Sequence, residues 1–459
     1  MPPSGSEICG GIERGVDSRW SDIRARRLVA WHPGRVDRDR VSRVTPSASR
    51  LTKSLRSVGY DPSTAIADLI DNSVSAGADQ IDIQFRFETD GSYILIADNG
   101  HGMTPRMLKE AMRFGTVRDY GNRDLGRFGL GMKTAALSMG RRLTVVTNHS
   151  VNTPRIYSWV LDLDHIDRTD RWEILSGKHC RAKSIAKTFL STGPGTVLVI
   201  DKLDRLLPGR SARNGHGRRR LENVERHVRE YLSMVFHRFL EHAEPLRILL
   251  GTEKVSPWNP FAPDEEATLE IDPRRIDVEH GGTTTGVAVR RFVLPNQEDF
   301  SSRHEFDRLS GPSNWNRQQG LYIYRSDRMI QSGGWCGLRG IDEHLKLARL
   351  SLDFDAGLDD LFEIDIAKMR VTIPDQIRNA LKDNVDELCR IADVTYRGRA
   401  RSDGPGNTVQ VPEPGLSDLN RISRALTLAA NRTGTWDELV RIRSRVRTDD
   451  PQLADALGW

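Results

Sequence analysis

"GRFGLGMKTA" (Gly126–Ala135) sets three glycines, a lysine and a threonine within ten positions. That is the vocabulary of a phosphate-binding loop, and Gly126 to Gly131 has the spacing of the first half of a P-loop. The second half departs from it, because Met132 separates the last glycine from Lys133 and Thr134. P-loops and dinucleotide fingerprints also need a hydrophobic strand directly upstream. Here the upstream run is "RFGTVRDYGNRDL" (Arg113–Leu125), polar and arginine-rich. Both familiar loops are excluded. A physical reading survives: glycines opening a helix turn N–H groups and the positive dipole end toward an anion. A plain flexible loop entering a helix fits the same residues, so the neighbours decide.

Upstream, "TAIADLIDNSVSAGA" (Thr64–Ala78) carries Ile66, Leu69, Ile70 and Val74 at helical spacing. Asp68 and Asn72 are four apart and share another face, with Asp71 beside them. Taken alone, this is equally an ordinary amphipathic helix with a solvated polar side. "QIDIQFRF" then alternates as a strand, "ETDG" turns and "SYILIA" runs back. The hairpin ends in "ADNGHGM" (Ala97–Met103). Asn-Gly commonly marks a tight turn. Equally, the Asp98 carboxylate at a strand end, above a glycine loop that admits a flat ring, suits a purine amino group.

These three features, followed by Gly195 and Thr196 in "GPGTVLVI" (Gly193–Ile200), occur in one order. Together they resemble the GHKL ATPases, the nucleotide site of gyrase B, heat-shock chaperones, histidine kinases and MutL. The resemblance implies a Bergerat two-layer α/β sandwich, a mixed sheet with helices on one face. It also implies ATP and Mg2+ as cofactors. Asn72 would hold the Mg2+, and Asp98 would bind the adenine amino group, with Thr196 completing that contact through water. Gly100, Gly102 and Met103 would line the base pocket. The run Gly126, Arg127, Phe128, Gly129, Leu130, Gly131, Met132, Lys133 and Thr134 would meet the phosphates, with Lys133 as added positive charge. Residues 114–125 would form a lid. Family members that hydrolyse ATP carry Glu where this chain has Asp68. The shorter acid implies slow turnover, or binding without hydrolysis.

A second α/β unit is expected from "RILLG", "GVAVRRFVL", "GLYIYRSDRMI", "RLSLDF" and "LFEIDIA" as strands, followed by a helix near Pro374. The long pattern "RRLENVERHVREYLSMVFHRFLEH" would join it to the first unit. The second unit resembles the transducer domain of MORC and MutL proteins, with a fold like a ribosomal protein's. In that resemblance Lys368 reaches the γ-phosphate and couples ATP to closure of a homodimer. The expected organisation is a basic arm over 1–50, an ATP-binding domain over 51–245, a transducer over 246–400, a linker over 401–415 and a helical tail over 416–459.

Composition narrows the function classes. The 459 residues carry a formal charge of +5, with 37% hydrophobic and 29% charged residues. No apolar run is long enough for a membrane helix, and "MPPSGSEICGG" has no signal-peptide core. A cytoplasmic location without membrane contact is expected. The basic arm and "RSARNGHGRRR" (Arg210–Arg220) are candidate DNA-backbone contacts; a solvated basic surface is the plain alternative. Cys9, Cys180, Cys336 and Cys389 are too dispersed for a metal or redox pair. The expected function is a MORC-like ATPase that dimerises on ATP and clamps or remodels nucleic acid. The alternative is a nucleotide-gated scaffold or chaperone-like module with weak or no hydrolysis.

Overall fold

In the computed structural model, the described residues are 44–459, leaving out 58, 89–90, 116–128, 153, 178–180, 209–214, 365–370, 398–422, 424–425, 428–429, 431–435 and 458. The first unit begins with α1 (Ala48–Leu55) and α2 (Pro62–Ser75), then the hairpin β1 (Gln80–Arg86) and β2 (Tyr93–Asp98). There follow α3 (Pro105–Ala111), α4 (Gly131–Met139), β3 (Arg142–Asn148), β4 (Tyr157–Asp162), α5 (Leu163–Thr169), β5 (Leu175–Ser176), α6 (Arg181–Leu190) and β6 (Gly195–Asp201). The unit closes with α7 (Gly215–Val235), α8 (His237–Glu241), β7 (Arg247–Leu250) and β8 (Glu253–Lys254).

Among the described residues, its eight strands form one mixed sheet in the order β5-β4-β3-β6-β2-β1-β7-β8. Only β1 and β7 pair in parallel; the other pairs are antiparallel. Because β7 and β8 join this sheet, the first layer extends past residue 245, the boundary expected from sequence. Central strands are apolar on both faces, as in a sheet covered twice. Ile94 and Ile96 of β2, with Leu198 and Ile200 of β6, join the main core with Ile66, Leu69 and Ile70 of α2. The alternate residues Tyr93, Leu95, Ala97, Val197 and Val199 pack on Ala182, Ala186 and Leu190 of α6. The main helical layer is therefore α2, α4 and α7, and α6 adds a smaller layer on the opposite face.

The second unit has β9 (Leu269–His280), β10 (Thr283–Val293), α9 (Arg303–Leu309), α10 (Asn314–Gln318), β11 (Gly320–Arg325), β12 (Arg328–Ser332) and β13 (Ala348–Phe354). These strands order as β12-β11-β13-β10-β9, with β11 and β13 parallel. The 23-residue α11 (Asp375–Arg397) buries Ile377, Leu381, Val385 and Leu388. Among the described residues, the tail carries the arginine-rich α12 (Trp436–Asp449) and the short α13 (Pro451–Leu457), which has no basic residue.

Two further expectations change. The long helical pattern breaks at Phe236, where α7 gives way to α8. The strand expected at "LFEIDIA" is absent from its described part: Leu361–Glu363 form a turn. There Phe362 donates its N–H to the Leu358 carbonyl and stacks on Phe354, with ring centroids 3.9 Å apart. Among the described residues, no helix is long and apolar enough to cross a membrane.

Candidate nucleotide-binding site

Helix α2 starts as its sequence dictates. Asp61 accepts the Ser63 and Thr64 N–H groups at 2.8 and 3.3 Å, and Pro62 takes the first helical position. Beyond the first turn the polar residues are not a solvated face. Asp68 is 5% exposed and Asp71 fully buried, whereas Asn72 is exposed. The Asn72 amide nitrogen donates to the Asp68 carbonyl at 2.9 Å, one turn back. That bond uses the amide nitrogen and leaves Oδ1 as the acceptor of an exposed side chain.

Asp68 lies under the start of α4. Tyr60 Oη donates to Asp68 Oδ2 at 3.0 Å. A Cβ at Gly131 would come within 2.5 Å of the same oxygen, so any larger residue there would have to displace the Asp68 carboxylate. Helix α4 begins at Gly131 with Leu130 as an N-cap that makes no side-chain capping bond. Its first N–H groups therefore face the site with the positive dipole end behind them. Thr134 Oγ1 turns back to the Leu130 and Gly131 carbonyls at 3.0 and 3.1 Å.

Lys133 takes a direction that the sequence does not signal. Its ammonium is buried, donates to the Ala111 carbonyl at the end of α3 at 2.8 Å, and lies 5.7 Å from the Phe114 ring centroid. Burial pulls its pKa down to about 8, against a smaller upward pull from Glu110. Lys133 thus joins α4 to the residues leading into the expected lid. Met132 is partly buried against the core.

At the end of β2 the Asp98 carboxylate is fully oriented. Oδ1 accepts the Gly100 N–H at 3.0 Å and the Thr196 N–H at 3.2 Å, and Oδ2 accepts Ser73 Oγ at 3.0 Å. A carboxylate offers about four lone-pair positions, so three donors from described residues leave one on Oδ2. Burial raises the Asp98 pKa, while these three hydrogen bonds and His101 pull it down.

The glycine loop after Asp98 is threaded between backbones. Gly102 has φ +65°, and a Cβ there would lie 1.9 Å from the Asn148 carbonyl oxygen. A Cβ on Gly100 would meet the Ala76 carbonyl at 2.8 Å. Thr147, on β3, ties the pocket together: it accepts the Met103 N–H at 2.9 Å and donates to the Gly195 carbonyl at 2.8 Å. Its hydroxyl lies 3.2 Å from Thr196 Oγ1. With Thr147's only proton on Gly195, Thr196 is the donor in that pair and keeps acceptor capacity on its own oxygen.

The structure thus gathers Asp68, Asn72, Asp98, Gly100, Gly102, Met103, Gly131 and Thr196 at one end of the sheet and under one helix start. Gly126, Arg127, Phe128 and Lys368 lie outside the described residues, as does most of the expected lid. Sequence reasoning passed over Tyr60, Ser73 and Thr147. Ser73 directly follows Asn72, but nothing local shows that its hydroxyl turns to another strand. A cavity of about 720 Å3 opens at the opposite end of the same sheet, lined by Tyr93, Arg142, Arg181, Asp201 and Lys202. Those three cations are ion-paired to Asp201, Glu88 and Asp162, which makes it a poor anion site.

Residues 60–195 match the family model described as histidine kinase-, DNA gyrase B-, and HSP90-like ATPase. This part of the chain is a domain of GHKL type, and the mixed α/β sheet under α2, α4 and α7 is its fold. Among curated proteins, "ATPase morc-1" of Caenorhabditis elegans is 34% identical over 86 residues, 19% of this chain and 10% of that protein. "Protein MICRORCHIDIA 6" of Arabidopsis thaliana is 33% identical over 93 residues, 19% of this chain and 14% of that protein. The matches span only a small part of either relative.

Proposed function

We propose that this chain binds ATP with Mg2+ at the site under α4 and hydrolyses it slowly, as a MORC-like GHKL ATPase. The observation that carries the reading is Asp98: a carboxylate held by three donors, with one acceptor position left beside a glycine loop. An adenine amino group, a planar donor, fits that position, and Thr196 Oγ1 suits a bridging water. The α4 start supplies N–H groups to the phosphates. Asn72 Oδ1 suits Mg2+, which favours oxygen ligands and is commonly completed by phosphate and water. Such an ion would neutralise phosphate charge and bridge phosphate oxygens.

Asp68 is the candidate base. It accepts the proton of a water whose oxygen attacks the γ-phosphorus, as the bond to the β,γ-bridging oxygen breaks to give ADP and phosphate. Tyr60 holds Oδ2, and Asp68 is sheltered from solvent, so its carboxylate is fixed in place. Loss of the γ-phosphate removes the ligand of the α4 start and supports an order-to-disorder switch of the kind NTPases use. Lys368 as γ-phosphate sensor, ATP-dependent homodimerisation, and DNA contact through the arm and Arg210–Arg220 belong to the same proposal. The expected domain division belongs to it as well, with the first domain extended past 245 to include β7 and β8.

Phosphate release by the wild type, Asp68→Asn and Asp68→Ala tests hydrolysis, with binding of a non-hydrolysable analogue measured in parallel. Slow release lost in both variants supports the enzyme. Release equal to buffer in all three, with the analogue bound, leaves the nucleotide-gated scaffold instead. Light scattering with and without the analogue tests dimerisation. A DNA mobility shift across a salt series tests the clamp, since phosphate contacts weaken steeply with salt.

A further inference from the structure

Next to Asn72, one turn past Asp68, the fully buried Asp71 accepts Arg328 Nε at 2.9 Å. The two residues are 257 positions apart in sequence, and their side chains are only 1% and 3% exposed. Arg328 begins β12 in the second sheet, lies 4.6 Å from the Phe236 ring centroid, and donates also to the Met329 carbonyl. Burying two charges costs several kcal/mol per ion, and an apolar pair of similar size is often as stable. A pair of this kind therefore adds more to the placement of α2 against the second sheet than to bulk stability.

The same turn holds a second pair. Arg325 and Arg328 face each other in the β11–β12 ladder, joined by Ser326 and Asp327, both left-handed at φ 47° and 66°. Two consecutive non-glycine residues in that region form a tight, unyielding hairpin turn. Arg325 grips Asp359 with two bonds, at 2.6 and 2.8 Å, and these side chains are 5% and 7% exposed. Asp359 directly follows a short 3-10 turn, Ala356–Leu358. Asp71, Arg328, Arg325 and Asp359 thus run as a chain of charges through one stiff turn.

We propose that Arg325 and Arg328 are positioning residues that clip the nucleotide-bearing helix α2 to the second sheet, so that a change at the nucleotide is felt at Asp359. This rests on the reading of α2 as a nucleotide helix. Neither arginine touches nucleotide; both act through Asp71 and Asp359.

The test uses the full chain. Hydrogen exchange of the wild type is compared with and without a non-hydrolysable ATP analogue. Slower exchange at residues 325–330 and 356–362 is expected with the analogue. Arg328→Lys and Asp359→Asn are expected to lower kcat per folded molecule about ten-fold, with KM held within about two-fold, as for a displacement of under 1 Å at the reacting groups. Asp359→Glu should recover part of the loss. A purely structural pair would lower the melting temperature and leave kcat per folded molecule unchanged. If the analogue binds but exchange at both segments is unaltered, or if the folded variants turn over at the wild-type rate, the clip is wrong. If the wild type binds no analogue, the nucleotide reading itself falls, and the clip with it.

Discussion

Thr196 donates its N–H to Asp98 Oδ1 at 3.2 Å, at the position where β6 and β2 stand opposite each other in the ladder. The acceptor is therefore oriented by main chain, from a strand almost a hundred residues away. Side-chain substitution can change what Asp98 offers without moving it.

Asp98→Asn is expected to fold and to lose adenine binding. The Asn oxygen can keep the Gly100 and Thr196 bonds, which leaves an NH2 where Oδ2 accepts Ser73 and where the proposed adenine amino group would sit. Donor would meet donor, at a cost of ~1–3 kcal/mol, or about 10- to 100-fold in affinity. A 6-oxo purine triphosphate should gain relative to ATP, and titration calorimetry with both nucleotides checks this. Acid should act in the same direction for ATP. Burial raises the Asp98 pKa, so protonation on acidification removes the acceptor while favouring the fold, because the native state then holds the proton more tightly. ATP affinity falls as Asp98's stability contribution rises.

Gly102→Ala should destabilise the domain severely. The residue is left-handed, and its Cβ would lie 1.9 Å from the Asn148 carbonyl oxygen, a backbone atom that cannot rotate away. A loss of ~3 kcal/mol or more is expected, read as a reduced urea midpoint. Gly91→Ala, where φ is also positive but nothing lies within 4 Å, should cost less.

Lys133 predicts a rise in stability with alkaline pH. Its folded pKa, about 8, lies below the ordinary 10.5. The unfolded chain therefore binds more protons between those values, and stability increases as pH climbs through that window. The gain is bounded by ~3 kcal/mol. Lys133→Met should flatten this slope relative to the wild type in chemical denaturation at pH 7.5, 8.5 and 9.5.

The site was legible where one residue type at one spacing carries the chemistry. Asp98 before a glycine loop, Asn72 four residues past Asp68, and Gly195-Thr196 before a core strand all announce themselves locally. Thr147 and Ser73 do not, because their roles are set by which strands become neighbours. Lys133 shows the same limit: a lysine at a helix start suggests phosphate, and nothing local reveals that its ammonium bonds the end of α3. In the fold, alternation exposed β1 and β2, whereas "LFEIDIA" looked like a strand because apolar content alone does not distinguish a strand from a packed turn. Asp71 looked like surface, since nothing near it in sequence reveals Arg328.

Gly131 and Asp68 make the length of the acid and the spacing between α2 and α4 a single inherited choice. A Cβ added at Gly131 would lie 2.5 Å from Asp68 Oδ2, so a methylene added at position 68 is expected to press on the α4 start. On the proposed reading, Asp68→Glu alone should therefore lower phosphate release rather than raise it. In related sequences, a switch from Asp to Glu should travel with compensating changes along the α2–α4 seam. Converting this chain into a fast hydrolase would mean transplanting the two helices together.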